Sequence, residues 1–141
     1  MQQNEFFLRK SQEVGELGSY LFDARKGLWI NSPMLDSIFG IDESYPRTVG
    51  GWIALVHPED RDAMLGYLND RVLTGLEKFD REYRIVRHAD HALRWVHGIG
   101  EMEFDEAGMP LRMIVTIQDI TRRKEAERAM AESERKYREL V

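Results

Sequence analysis

The sequence contains no cysteine. That absence excludes disulfides, thiolate metal sites, thioether-linked haem, cysteinyl-flavin adducts and any thiol nucleophile. Long apolar runs are missing too: Phe6-Phe7-Leu8 and residues 52–56 fall far short of the roughly 20 residues that a bilayer crossing needs, so no segment is expected to insert in a membrane. Nor does the start of the chain read as a secretory leader, because Glu5 precedes its short apolar patch and no small-residue cleavage site follows; the expected location is the cytoplasm. An excess of positive charge is also lacking. The formal net charge of −5 argues against bulk attraction to nucleic acid or anionic lipid, and no nucleic-acid partner is expected. What remains is 43% hydrophobic and 32% charged, a balance that buries a core and excludes a disordered chain. A length of 141 residues suits one domain with a short appendage.

Hydrophobic periodicity supplies the organisation. A polar, weakly amphipathic stretch over 4–13 reads as a short helix, giving an N-terminal flanking segment at 1–14. Residues 15–23, with Leu17, Tyr20, Leu21 and Phe22, suit a strand; Arg25-Lys26-Gly27 then turns the chain into Leu28-Trp29-Ile30 as a hairpin. Ser32 as cap, Pro33 at the first position, the stripe Met34, Leu35, Ile38, Phe39 and a closing Gly40 define a helix over 33–39. After a loop with Pro46 and Gly50-Gly51, residues 52–56 form an apolar helical turn that runs into His57-Pro58-Glu59-Asp60. Pro58 and the two acids favour a second helix start there, and Met64, Leu65, Leu68 and Val72 carry that helix to about Gly75.

The period then drops from 3.6 to 2, with Phe79, Tyr83 and Ile85 alternating against Asp80, Glu82 and Arg84. Polar turns at 88–91 and 105–108 separate two further strands, 93–104 and 111–117. The order predicts an α+β domain over 15–120, with a five-stranded antiparallel sheet and its helices on one face. Strand 93–104 is apolar on both sides: Leu93, Trp95 and Ile99 share one parity, Val96, Gly98, Gly100, Met102 and Phe104 the other. Either the second face is covered by the amino-terminal segment or a partner chain, or a bulge at Gly98 or Gly100 switches the parity.

From 121 to 141 the chain is helix-forming, without glycine or proline, and Glu132 with Lys136 and Glu134 with Arg138 are spaced as i, i+4 ion pairs. Its apolar seam runs Ala126, Met130, Ser133, Tyr137, Leu140 in steps of 4, 3, 4 and 3, as in a coiled coil. The seam predicts weak homodimerisation; the other reading is a solvated helix.

No catalytic constellation emerges. The serines lack a glycine-flanked nucleophile turn, phosphate-binding glycine loops are missing, and the fragment is expected to be non-catalytic. His57, Glu59 and Asp60 are explained by capping, and His88 with His91 form an incomplete ligand pair, so no metal site is expected. His97, inside an apolar strand, reads either as a half-buried histidine bonded to backbone or as a ligand contact.

Several motifs in order carry a resemblance: Gly18-Ser19-Tyr20-Leu21-Phe22-Asp23, residues 32–40, Val56-His57-Pro58-Glu59-Asp60-Arg61, Glu82-Tyr83-Arg84, Arg94-Trp95-Val96-His97 and Asp119-Ile120-Thr121-Arg122-Arg123-Lys124. Over roughly 15–124 the chain resembles a PAS domain of the sensory-box type with its trailing PAC segment. Asp90-His91 stands where such domains often place an Asp-Gly turn. The resemblance implies a sensory or dimerising module of bacterial signalling proteins, with neighbouring PAS, histidine kinase or diguanylate cyclase domains in the same chain, as in two-component systems. Residues 133–141 look like the opening of another PAS copy.

In that reading a ligand pocket would be walled by Tyr20, Phe22, Ile38, Val56, Leu68, Val96, His97, Gly98, Val115 and Ile117. Haem is disfavoured because haem-binding relatives use a histidine in the helix at 58–74, which has none here. Flavin is disfavoured because light-sensing relatives need a cysteine, and a glutamine where this chain has Ile117. No cofactor is predicted; the pocket either packs on itself or takes an unknown small ligand. Signal would pass from the last strand through Asp119, Ile120 and Thr121 into the helix at 121–141, Thr121 capping that helix and Asp119 meeting its amide end or pairing with Arg122 or Arg123. The alternatives are a purely structural dimeriser and, further off, a metal- or haem-binding sensor or a small enzyme.

Overall fold

The computed structural model describes residues 17–140. The helix expected over 4–13 lies outside them. Elements follow in the order β1 (Leu17–Asp23), β2 (Leu28–Asn31), α1 (Pro33–Phe39), α2 (Val49–Leu55), α3 (Arg61–Tyr67) with a π-helical turn (Leu68–Val72), β3 (Phe79–Val86), β4 (Leu93–Phe104), β5 (Pro110–Asp119) and α4 (Thr121–Leu140). The five strands form one antiparallel sheet in the order β2-β1-β5-β4-β3, so the first and last strands of the domain lie side by side and β5 is central. No described helix is long and apolar enough to cross a membrane.

Strand alternation separates the two faces. Tyr20, Phe22, Val96, Met102, Met113, Val115 and Ile117 point into a core shared with Leu35, Ile38, Phe39, Trp52, Leu55, Met64 and Leu68. Burying each such side chain is worth roughly 1.5–3 kcal/mol, and the core covers one face only. The opposite parity of β4 stays largely outside: Leu93 and Ile99 are exposed and Trp95 is half-buried. The parity is therefore not switched at Gly98 or Gly100; the irregularity falls between Glu103 and Phe104, where Pro110 opens β5. Gly98 has a different task, because a Cβ there would lie 2.7 Å from the Phe79 ring.

Three local expectations need correction. Ser32 sits at the start of α1 without capping it; its hydroxyl accepts instead from the Ser19 amide at 3.1 Å, tying β1 to the helix entrance. The helix expected from Pro58 to Gly75 is broken, with α3 starting at Arg61 and the chain widening after Tyr67 so that Leu73 N–H reaches Leu68 O at 2.9 Å. That wider turn keeps both Leu68 and Val72 buried. Val56 is no longer helical: it bridges Ile85 and begins a segment laid along the free edge of β3.

Two further starts and turns rest on specific groups. Thr48 caps α2 by accepting from the Gly51 amide at 2.9 Å. His91 stands at φ 59°, so the turn before β4 takes the left-handed conformation that glycine adopts without strain.

Candidate functional site

Two regions merit a functional reading: the interior beneath the sheet and the joint between β5 and α4. In the interior, aromatic rings converge from five elements, β1, β2, α2, α3 and β3. Phe79 meets Trp52, Tyr67 and Tyr83 with ring centroids 5.7–6.4 Å apart, and Trp29 meets Tyr20 at 5.6 Å. The Trp52 indole donates to the Tyr83 hydroxyl at 3.2 Å, while that of Trp29 donates to Thr48 O at 2.9 Å. Burial pushes the phenols of both Tyr20 and Tyr83 well above their ordinary range. Between them lies a cavity of about 20 Å³, bordered by Tyr20, Phe22, Leu68 and Met113 among others. That is the room of about one water molecule.

The pocket residues expected from sequence divide accordingly. Tyr20, Phe22 and Leu68 border the cavity. Ile38, Val56, Val96, Gly98, Val115 and Ile117 are buried in the surrounding core. His97 is a correction: it lies on the opposite face of β4, and its Nε2 meets the Asp80 carboxylate at 2.7 Å, not a backbone group. That contact holds the Asp80 carboxyl below its usual range. Trp29, Trp52 and Phe79 belong to the cavity wall and were missed, although the aromatic content of residues 29, 52 and 79 was visible.

The joint is built from short polar contacts. Asp119 Oδ1 accepts from the Thr121 amide at 3.0 Å and from the Thr121 hydroxyl at 2.6 Å. Thr121 Oγ1 in turn accepts from the Trp95 amide at 2.9 Å, and the Ile120 amide donates to Trp95 O at 2.8 Å. Ile120 and Thr121, at the entrance of α4, thus continue the pairing with β4 beyond the end of β5. The roles differ from expectation: Asp119 does the capping and Thr121 is the bridge to β4. The second Asp119 oxygen faces Arg94 at 3.9 Å, not Arg122 or Arg123. Arg123 and Lys124 both pair with Glu82 on β3, at 2.5 and 2.8 Å, and hold its carboxyl below the usual range.

Beyond its first turn α4 leaves the domain. Residues 125–140 are exposed, and the seam residues Ala126, Met130, Tyr137 and Leu140 touch nothing in the core. The ion pairs on this helix are Arg123 with Glu127 and Arg128 with Glu132; the expected pairs of Glu132 with Lys136 and Glu134 with Arg138 do not form.

Comparison with known proteins bears on both regions. The family model described as the PAS fold matches residues 31–117. No curated protein matches the sequence. Among solved structures, a sensory box histidine kinase/response regulator from Burkholderia thailandensis is 26% identical at a TM-score of 0.76, with 93% of this chain and 97% of that one covered. The N-terminal domain of a diguanylate cyclase with PAS/PAC sensor from Marinobacter aquaeolei is 16% identical at a TM-score of 0.69, covering 77% of this chain and 98% of its own. A domain of the putative light and redox sensing histidine kinase from Haloarcula marismortui, 24% identical, has a TM-score of 0.63 over 80% and 99% of the two chains. The family match spans more than half of the residues, and the chain belongs to the PAS family.

Proposed function

We propose that this domain is a sensory module that relays changes of its interior packing through β5 into α4, and so to an output segment such as the kinase or cyclase domains of its structural relatives. The observation that carries the reading is the Asp119–Thr121–Trp95 hydrogen-bond set, which makes the first turn of α4 an extension of β4 and β5. Met113, Val115 and Ile117 pack into the core on β5, so displacement at the cavity end of that strand reaches Asp119 without a flexible link. Homodimerisation through the exposed seam Ala126, Met130, Tyr137 and Leu140 is the second part of the proposal, supported by its heptad-like spacing.

The interior favours a domain that works without a resident cofactor. Its cavity of about 20 Å³ is an order of magnitude below the roughly 300 Å³ at which small-molecule pockets begin. The residues fit neither haem nor a light-activated flavin: α3 and its π turn contain no histidine, the chain has no cysteine, and Ile117 is buried in the core.

Met113→Leu tests the relay, since a volume-conserving swap repacks the cavity end of β5 without unfolding it. Amide hydrogen exchange over residues 124–128 should change in Met113→Leu and stop responding once Asp119→Ala is added. Unchanged exchange there in Met113→Leu would overturn the relay. Light scattering of the chain against a Met130→Ser, Tyr137→Ser, Leu140→Ser variant tests the seam, and an absorption spectrum with native mass tests for a bound cofactor.

A further inference from the structure

The segment 56–60 lies along the edge of β3 and is fastened there by Arg84. The Arg84 carbonyl accepts from the His57 amide at 2.9 Å, and Asp60 Oδ2 accepts from both the Arg84 amide and its Nε at 3.0 Å. Arg84 Nη2 completes a two-pronged grip on Asp60 Oδ1 at 2.6 Å and reaches Glu59 at 3.2 Å. Both guanidinium prongs on one carboxylate give a geometry that lysine cannot copy. The grip holds the Asp60 carboxyl below its usual range and raises the guanidinium further.

Asp60 stands at the start of α3, whose π turn carries Leu68 to the cavity. Arg84 belongs to the other side of the sheet: it sits opposite Trp95 in the β3–β4 register, with its Cζ 5.7 Å from the Trp95 ring centroid. Lys124 of α4 places its Nζ 4.9 Å from the same ring, and is held there by Glu82. Trp95 also gives its amide and carbonyl to Thr121 and Ile120. One indole and its backbone therefore join β3, through Arg84, to α4, at its start through Thr121 and in its first turn through Lys124.

We infer that Arg84 is a positioning residue for α4, coupling the cavity-bearing helix α3 to the start of α4 around the free edge of the sheet, by a route that does not run through β5. The chain of contacts is Asp60 to Arg84, Arg84 to Trp95, and Trp95 to Lys124. A shift of α3 that moves Asp60 drags the guanidinium across the Trp95 ring and alters where Lys124 can sit. This inference deepens the relay reading above and rests on α4 being the output element. Its route is separate, so the two can fail separately.

The test uses hydrogen exchange of the whole 141-residue chain, read at amides 124–128, in Asp60→Asn, Lys124→Met, the double variant, Arg84→Lys and Asp119→Ala. Asp60→Asn should speed exchange there by about fivefold, the lower end of measured couplings between sites. The double variant should show less than the product of the single effects, because each removes the same link. Arg84→Lys, which keeps a cation but not the fork, should behave like Asp60→Asn. By reciprocity Lys124→Met should loosen amides of α3 near Met64 and Leu65. Should Asp60→Asn leave 124–128 unchanged while Asp119→Ala speeds them, the edge route is overturned and the relay through β5 stands. The reverse pattern overturns the β5 relay and keeps the edge route. Strictly multiplicative single effects would also overturn the coupling, since they would show two independent supports of α4. A urea titration of each variant verifies that global stability is not the source of the change.

Discussion

The two faces of β4 differ in kind. On the inner face Val96 lies in the buried core and Gly98 lies against Phe79 and Ile117, with a cavity no larger than a water nearby in the same core. On the outer face the contacts are with charged groups, Arg84 and Lys124 at Trp95 and Asp80 at His97. The inner contacts are many, apolar and non-directional, so they secure the fold and tolerate no loss of volume. Each outer contact is worth little to stability, yet it is directional and joins two named elements. A signal that must reorient α4 without melting the domain is better served by the second kind.

Measurements can break or sharpen that contrast. The largest effect belongs to Phe79→Ala, which removes a fully buried ring touching Trp52, Tyr67 and Tyr83 and should cost about 3–5 kcal/mol by urea denaturation. Next comes Gly98→Ala: its Cβ would lie 2.7 Å from Phe79 and 3.1 Å from Ile117, and overpacking of this kind costs about 1–3 kcal/mol. Adding Phe79→Leu should recover part of that loss; a double variant as unstable as the sum would show that the inner face is more yielding than its packing suggests.

Asp119→Ala should cost only about 1 kcal/mol, as loss of a helix cap does, while α4 exchange rises far more than that of β5. Equal acceleration in both would erase the distinction between the faces. A smaller effect follows from Asp60. Its carboxyl is held below the ordinary range by Arg84, so it contributes stability above its unfolded pKa, and that contribution is lost as pH falls through the lower folded value. A stability profile below about pH 4 should accordingly be shallower in Asp60→Asn than in wild type. The smallest is His91→Gly, where relief of a left-handed backbone is set against the extra chain entropy of glycine; the melting temperature should change by no more than a few degrees and rise if strain dominates.

Much of this architecture was legible from residue order. The change of period at Phe79 located the three later strands, and Pro33 with Gly40 bounded α1 to the residue. Other signals misled for identifiable reasons. Ser32 has the chemistry of a helix cap, but its hydroxyl is more useful to the buried Ser19 amide 13 positions away. Leu68 and Val72 fit an unbroken helix, and the π turn that lets both face the core leaves no mark on a 3.6-residue pattern. His97 shares a strand with apolar residues of both parities, so the facing of β4 could not be read without knowing which side the helices cover.

Residue order alone indicated the five strands of an antiparallel sheet, the bounds of α1 and the charged helix that follows, because alternation, capping and turn chemistry act over a few neighbours. Tertiary structure decided that Asp60 would grip Arg84, that Thr121 would bridge to Trp95, and that the interior would close to the volume of one water. These contacts join groups 24 and 26 positions apart or depend on the joint packing of several elements, and local pattern carries no information about which distant partner a charge or hydroxyl will meet.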